Sequence, residues 1–405
     1  MVNNFDIAII GSSYAGMSCA LALANISPDL KIAIIEKEDI FLHEKKADGR
    51  AYAISAQSLK FFKKIKIYDE LEKVGGKICD IKITDDKSPF VLDFIGSEVV
   101  SQNSEFNGQL GQVIENHFIF EVLKKRLKEQ KNITIFCPNF YEEITFDDDS
   151  KSSKLNFVQI KLNNAEIIKS RLLLACDGRF SELRKHFNIS FLQKNYHQTA
   201  IVFKISHQFD HQNIAHEKFL RSGPFAILPL KEMKQSSIVW IVKNEEAQAI
   251  LSLDNENFLQ QMHKKMQNCL GQCQIISEKF SYPLSLVESD KLYHSQALLI
   301  GDSGCAVHPI AGQGFNLAIS GIEILCELLS KNMLCGLDFA SSQVIEEYNK
   351  KVKFNAKKML IATDVLNSIF ENDSLAVAVI RDLGLGLINS SKKIKNFFIK
   401  NAGGF

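Results

Sequence analysis

The chain opens with a short, mostly apolar run, Phe5–Ile10 (FDIAII), of the length a buried strand needs. A short turn, Gly11-Ser12-Ser13-Tyr14-Ala15-Gly16, follows it, and Met17–Asn25, rich in Ala and Leu, predicts a helix. Lys31–Ile35 (KIAII) predicts a second strand ending on Glu36. Helical spacing returns through Leu59, Phe62, Ile65 and Leu71, and Gly75-Gly76 breaks it. Residues 78–84 and 90–94 alternate like the strands of a hairpin. Residues 113–127 predict an amphipathic helix, and 133–136, 157–162 and 167–174 predict strands. Further on, 198–205, 225–230 and 237–242 are strand-like, with a single helical stretch at 258–270. Helices do not alternate with these strands, so they predict a mostly antiparallel layer rather than a second doubly wound unit. Residues 297–300 return as a short apolar strand, 317 to about 331 as a helix, and 343–400 as a helical end with a break at Gly384 and Gly386.

The length, 405 residues, accommodates two or three domain-sized units. Apolar residues make up 46% and charged residues 23%, which excludes a disordered or collagen-like chain. A formal net charge of +1 provides no global field for nucleic acid, and no nucleic-acid partner is expected. The nine cysteines are scattered without a CxxC pair, which predicts a reduced, cytoplasmic protein. The most apolar long stretches, 297–320 and 375–388, are interrupted by Asp302, His308, Gln313 and Asn316 and by Arg381 and Asp382, so neither reads as a membrane span.

Strand, glycine turn, helix, strand and acid within about 30 residues is the order of a nucleotide-binding βαβ unit. Gly11 permits the tight turn, Gly16 permits close packing of helix on sheet, and the helix N-terminus offers free N–H groups to a pyrophosphate. Glu36 stands 20 residues after Gly16, where a carboxylate accepts hydrogen bonds from a ribose diol. Ser13 replaces the middle glycine of the usual pattern and, being small, is compatible with it. Seven of the 48 basic residues are arginines, so Arg50 and Arg184 stand out as sites where the planar guanidinium is needed. His207, Asp210, His211, His216 and Glu217 form a local cluster of metal-ligand types; a solvated loop is the preferred reading, and no metal is expected.

Other segments carry a resemblance. Gly301-Asp302 followed by HPIAGQGFN (308–316) resembles the second FAD signature of flavoprotein aromatic hydroxylases, most closely the ubiquinone-biosynthesis hydroxylases (UbiH/UbiF-like). Asp177-Gly178 with Ser181 and Arg184 resembles that family's DGxxSxxR motif, and Asp48-Gly49-Arg50-Ala51 with Ser55 its DxRxxALS segment. GQVIEN (111–116), SGPFAILPL (222–230) with Trp240, and Asp364, Leu366 and Phe370 extend the likeness over nearly the whole chain. Gly304-Cys305 stands where the family has Ala-His, and Ala318 and Gly321 where it has Gly and Asp.

The resemblance implies an α/β fold: an FAD-binding Rossmann-like (GR2-type) domain with an inserted, mostly antiparallel β-sheet substrate domain and a helical C-terminal region. Residues 1–75, 106–185 and 291–335 would be the three parts of the FAD-binding domain. Residues 76–105 would add a hairpin to the substrate domain of 186–290, and 336–405 would be the C-terminal helices. FAD would be held by Gly11, Ser13, Ala15, Gly16, Glu36 and Lys37, by Arg50 and Gln112, by Asp177 and Gly178, and by Asp302 with Gly312, Gln313, Gly314, Phe315 and Asn316. Pro309 and Gly312 would face the flavin, and Phe225, Pro229, Trp240 and Pro309 would line the substrate pocket.

The activity implied is hydroxylation of a polyprenylated phenol in ubiquinone biosynthesis with NAD(P)H and O2, through a flavin C4a-hydroperoxide, with no catalytic protein nucleophile. A single dinucleotide fingerprint suits an enzyme that keeps FAD and meets NAD(P)H transiently. Peripheral contact with the inner membrane, or with a ubiquinone-synthesis complex, would accompany such a substrate. Two rival readings stand beside it: a flavin-dependent isoprenoid reductase, and a degenerate, non-catalytic flavoprotein subunit of a quinone-synthesis complex.

Overall fold

A computed structural model describes residues 2–371 except 43, 45, 87–90, 100–104, 107, 148–155, 267–268 and 308–312. Two large sheets face each other, and a small one joins them. The first is built on parallel strands in the spatial order Ala297–Leu299, Ile167–Ala175, Val2–Ile10, Ile32–Ile35, Ile133–Phe136. The inner strands are apolar on both faces because helices cover both. Helix Tyr14–Ile26 packs between this sheet and helices Asn116–Lys128 and Gln313–Leu334. Tyr293–His294, Val158–Leu162 and Tyr141–Phe146 add antiparallel strands.

The second sheet contains nine strands and runs Cys305–Ala306, Phe280–Ser289, Phe191–His207, Gln235–Lys243, Gly223–Pro229, Ile214–Leu220, Asp80–Asp85, Leu92–Ile95, with Cys273–Ile275 beside Phe191–His207. All its pairings are antiparallel except that of Ile214–Leu220 with Asp80–Asp85. One face is sealed by helices Asn244–Leu251 and Asn255–Met266 over Phe203, Phe225 and Trp240, with Phe258 of the second helix packed on Phe203 and Trp240. Its other face turns toward the first sheet.

Several stretches differ from their sequence expectation. Residues 113–115 continue the strand Gly111–Glu115, and the helix begins only at Asn116. That strand pairs with Ala51–Ser55 and Gly76–Ile78 in a three-stranded sheet, so 76–78 do not join the hairpin 80–95 in the large sheet. A Cβ at Gly76 would stand 2.2 Å from the Pro229 carbonyl oxygen, which is why this joint between the sheets takes a glycine. Third, His216 and Glu217 lie on the strand Ile214–Leu220, and His207 and His211 are buried rather than solvated. The His207 ring bonds the Phe209 carbonyl and the Ser236 hydroxyl, and His211 bonds the Leu230 carbonyl. These two rings are structural ties.

The helix Gln313–Leu334 starts four residues earlier than its apolar spacing predicts. It packs on the first helix and on Ser342–Glu371, which ends the described chain; the expected break at Gly384 and Gly386 lies outside the described residues. No described helix is long and apolar enough to cross a membrane.

Candidate active site

The carboxyl ends of four parallel strands converge. The Gly11 N–H donates to the Ile35 carbonyl, the Cys176 N–H to Ile10, and the Ile300 N–H to Ala175. The loops leaving these strands (11–16, 36–37, 176–179 and 301–303) therefore share one edge, the usual ligand edge of an open parallel sheet. Gly11 has φ +98° and would place a Cβ 2.5 Å from the Cys176 carbonyl oxygen. A Cβ at Gly16 would lie 2.0 Å from the Gly11 carbonyl oxygen. Neither position admits another residue without moving backbone.

Ser13 caps the first helix in an extended conformation but makes no side-chain capping bond, and the first intrahelical acceptor is its carbonyl, bonded by Met17. The leading N–H groups are thus left for a ligand. Glu36 accepts from the Ser12 N–H and hydroxyl, both at 2.8 Å, and its other oxygen from the Glu38 N–H. These bonds fix the carboxylate beside the turn. Gly178 has φ +80° with open space where a Cβ would stand. Asp177 accepts from the Leu183 N–H with one oxygen, and its other oxygen is buried with no partner among the described residues. Arg184, almost fully buried, donates to the carbonyls of Ser303 and Arg179 and so clamps the 177–184 loop to the 301–303 loop.

Asp302 faces the same space. Burial raises its pKa, against the pull of Arg179 and Arg50. Arg50 is positioned by Asp48, which also accepts from Asn116 Nδ2; burial acts to raise the Asp48 pKa, but the bonds and charge of Arg50 outweigh it and hold it below the ordinary value. Asn316 spans to the strand Ala51–Ser55, accepting from the Ser55 N–H and donating to the Ala53 carbonyl. One turn earlier, Gln313 is buried and Gln112 fully buried, and among the described residues Gln313 Oε1 and both amide atoms of Gln112 find no hydrogen-bond partner. Tyr14, Tyr52 and Phe315 stack in one group, with centroids 4.5 to 5.6 Å apart.

A cavity of about 850 Å³ runs along these groups. Ser13, Ala15, Glu36, Lys37, Arg50, Gly178, Asp302, Gly314 and Phe315 line it. Gly11 and Gly16 shape the turn from behind, while Gln112, Gln313 and Asn316 are buried and Asp177 half-buried next to it without lining it. Pro309 and Gly312 lie outside the described residues. The far wall comes from the inner face of the large sheet, including Ala226, Leu228, Val239, Ile241 and Leu284.

Three of the residues expected in the substrate pocket, Phe225, Pro229 and Trp240, do not line the cavity. Phe225 and Trp240 are opposite one another in register and are 1% and 2% exposed, under the helices on the outer face. Side chains alternate along a strand, so their neighbours Pro224, Ala226, Val239 and Ile241 face the cavity instead. Pro229 shares the phase of Phe225 and sits with its carbonyl against Gly76, away from the cavity wall. Sequence reasoning missed Tyr14, Tyr52, Arg179, Tyr282 and Glu217, all of which line the space. For Glu217 the sequence shows its alternation with Ala215 and Phe219, but not which of the two faces turns inward.

An open helix N-terminus, a carboxylate at a second strand end, a carboxyl at a fourth and buried side-chain amides fit an extended dinucleotide with an aromatic head, and FAD fits this set. Fold and site define a dinucleotide-binding oxidoreductase with an apolar reaction chamber. Residues 4–363 match the family described as FAD binding domain. Ubiquinone hydroxylase UbiL of Rhodospirillum rubrum is 30% identical over 402 residues, spanning 98% of this chain and 89% of that protein. Ubiquinone hydroxylase UbiM of Neisseria meningitidis is 27% identical over 405 residues, spanning 98% and 84%. Among solved structures, PqsL, a probable FAD-dependent monooxygenase from Pseudomonas aeruginosa, shares the fold with a TM-score of 0.74 at 15% identity, over 95% of this chain and 100% of that one. The chain belongs to the FAD-binding family of flavin-dependent monooxygenases.

Proposed function

We propose that this protein hydroxylates the aromatic ring of a polyprenylated phenol in ubiquinone biosynthesis, using FAD, NAD(P)H and O2. The observation that carries this reading is the continuity of the cavity: a polar dinucleotide cradle opens directly onto an aliphatic sheet face. When bound, FAD supplies electron transfer from NAD(P)H and the activation of O2. The chain's residues do the rest. The helix at Tyr14 and its turn bind pyrophosphate, Glu36 holds a ribose diol, and Asp302 takes hydroxyls of the second half. Ala226, Val239, Ile241 and Leu284 bind the prenyl group and exclude water from the reacting centre.

The reading includes peripheral contact with the membrane in which such a substrate dissolves. Phe354 and Ile361, seven residues apart on the C-terminal helix, are 60% and 56% exposed beside the exposed Lys357 and Lys358. Apolar side chains flanked by lysines suit an interfacial position.

The test is turnover of a short-chain prenylphenol by FAD-loaded protein with NAD(P)H under labelled O2. One labelled oxygen atom on the ring is expected. Oxygen-independent saturation of a prenyl double bond would instead identify the isoprenoid reductase, and a colourless chain that takes up no FAD the degenerate subunit.

A further inference from the structure

The nine-stranded sheet puts one carboxyl group into the described wall of the chamber. Ala215, Glu217 and Phe219 share one face of their strand, while His216 and Lys218 take the other, where Lys218 pairs with Asp86 at 3.0 Å. Glu217 is 7% exposed and lines the cavity. Its cross-strand neighbours are Ala226 and Ile83. Among the described residues its carboxyl has no hydrogen bond or ion pair, and burial raises its pKa to about 7. Of the titratable groups on adjoining elements, Asp85 shares its face two positions along the next strand, and none on Gly223–Pro229 does. The helix Ser342–Glu371, which also packs on this strand, carries Asp364 and Glu371. A carboxyl held unpaired against aliphatic groups is costly, and a ligand that supplies a donor relieves it.

We infer that Glu217 is a catalytic residue of this chamber, the group that accepts the hydrogen bond of the substrate's phenolic O–H and removes its proton. The inference rests on the reading of the chain as a phenol hydroxylase. Loss of that proton pushes electron density into the ring as the ring carbon bonds to the incoming oxygen atom. That atom comes from O2; the other leaves as water with the hydride of NAD(P)H and a proton from solvent. As aromaticity returns the ring C–H proton leaves to solvent and the new oxygen takes up one in exchange, becoming the second hydroxyl, and Glu217 gives its proton back to the phenolic oxygen.

The experiment compares wild type and Glu217→Gln, both FAD-loaded, with 2-prenylphenol and its O-methyl ether. Binding is read from the flavin absorbance change and turnover from labelled product. At pH 8 the wild type is expected to bind the phenol about tenfold tighter than the ether, and to lose that preference as pH falls through about 7. Glu217→Gln is expected to lack the preference at every pH, to lose the acid limb of its kcat profile, and to lower kcat by about a hundredfold or more, with a smaller change in KM. Glu217→Asp, which keeps the charge but draws it back, should fall between, and it serves if the Gln variant fails to fold. A Gln variant with kcat within about threefold of wild type and an unchanged preference, or a wild type that treats phenol and ether alike at pH 8, overturns the assignment. Failure of the hydroxylase reading shows separately, as wild type that binds the phenol and adds no oxygen.

Discussion

At the scale of single residues, Glu217 ties stability to pH. Its folded-state pKa of about 7 lies above the ordinary glutamate range. Between those values the unfolded chain releases a proton that the folded chain keeps, so the folded state loses stability as pH rises through about 7. Glu217→Gln removes that loss. The variant is expected to melt at higher temperature than wild type at pH 8, by up to about 3 kcal/mol in stability, and at the same temperature at pH 4. Parallel calorimetric scans at the two pH values check this. The same residue shows how far a sequence can be read. Composition and spacing identify the strand Ile214–Leu220 only as part of an ambiguous cluster, because Gln212 and Asn213 read as a loop. The inward phase becomes visible once the register with Ala226 is known. Phe225 and Trp240 are the converse case: large aromatics in a resembling motif invite a pocket role, yet alternation turns them toward the helices at Ala247 and Phe258.

At the scale of elements, the parallel core was legible because each signal is local. The largely apolar stretches 5–10, 31–35 and 167–174 pointed to the strands that run Val2–Ile10, Ile32–Ile35 and Ile167–Ala175, and glycines marked the first turn. What was not legible depends on pairing across long separations. Gly111–Glu115 has residues that fit an amphipathic helix, and only its bonds to Ala51–Ser55 and Gly76–Ile78 make it a strand. Asn316 is the tie between that small sheet and the helix Gln313–Leu334. Replacing it with Ala leaves a buried N–H at Ser55 and a buried carbonyl at Ala53 unpaired. The expected cost is about 2–4 kcal/mol, together with weaker FAD retention, because Arg50 and Tyr52 hang on the loosened strand. Urea unfolding and flavin content after gel filtration measure both. In Asn316→Asp the acceptor toward Ser55 survives while the donor toward Ala53 is lost, so it should retain part of that stability.

At the scale of the whole molecule, the cradle is assembled from stretches near residues 11–16, 36–37, 177–179, 301–303 and 313–316, with the large sheet as its lid. Its central strands come from opposite ends of the chain: Ala297–Leu299 lies beside Ile167–Ala175, which lies beside Val2–Ile10. During synthesis the first βαβ unit emerges early, but it lacks Asp302, the Arg184 clamp and the Asn316 tie. A ribosome must release more than 316 residues before the flavin has anywhere to sit. Acquisition of the yellow chromophore is therefore a late event, and until then the nascent chain must shelter its apolar sheet face without it. A fragment ending at residue 290 should emerge colourless and prone to aggregate, whatever the supply of riboflavin in the expressing cell.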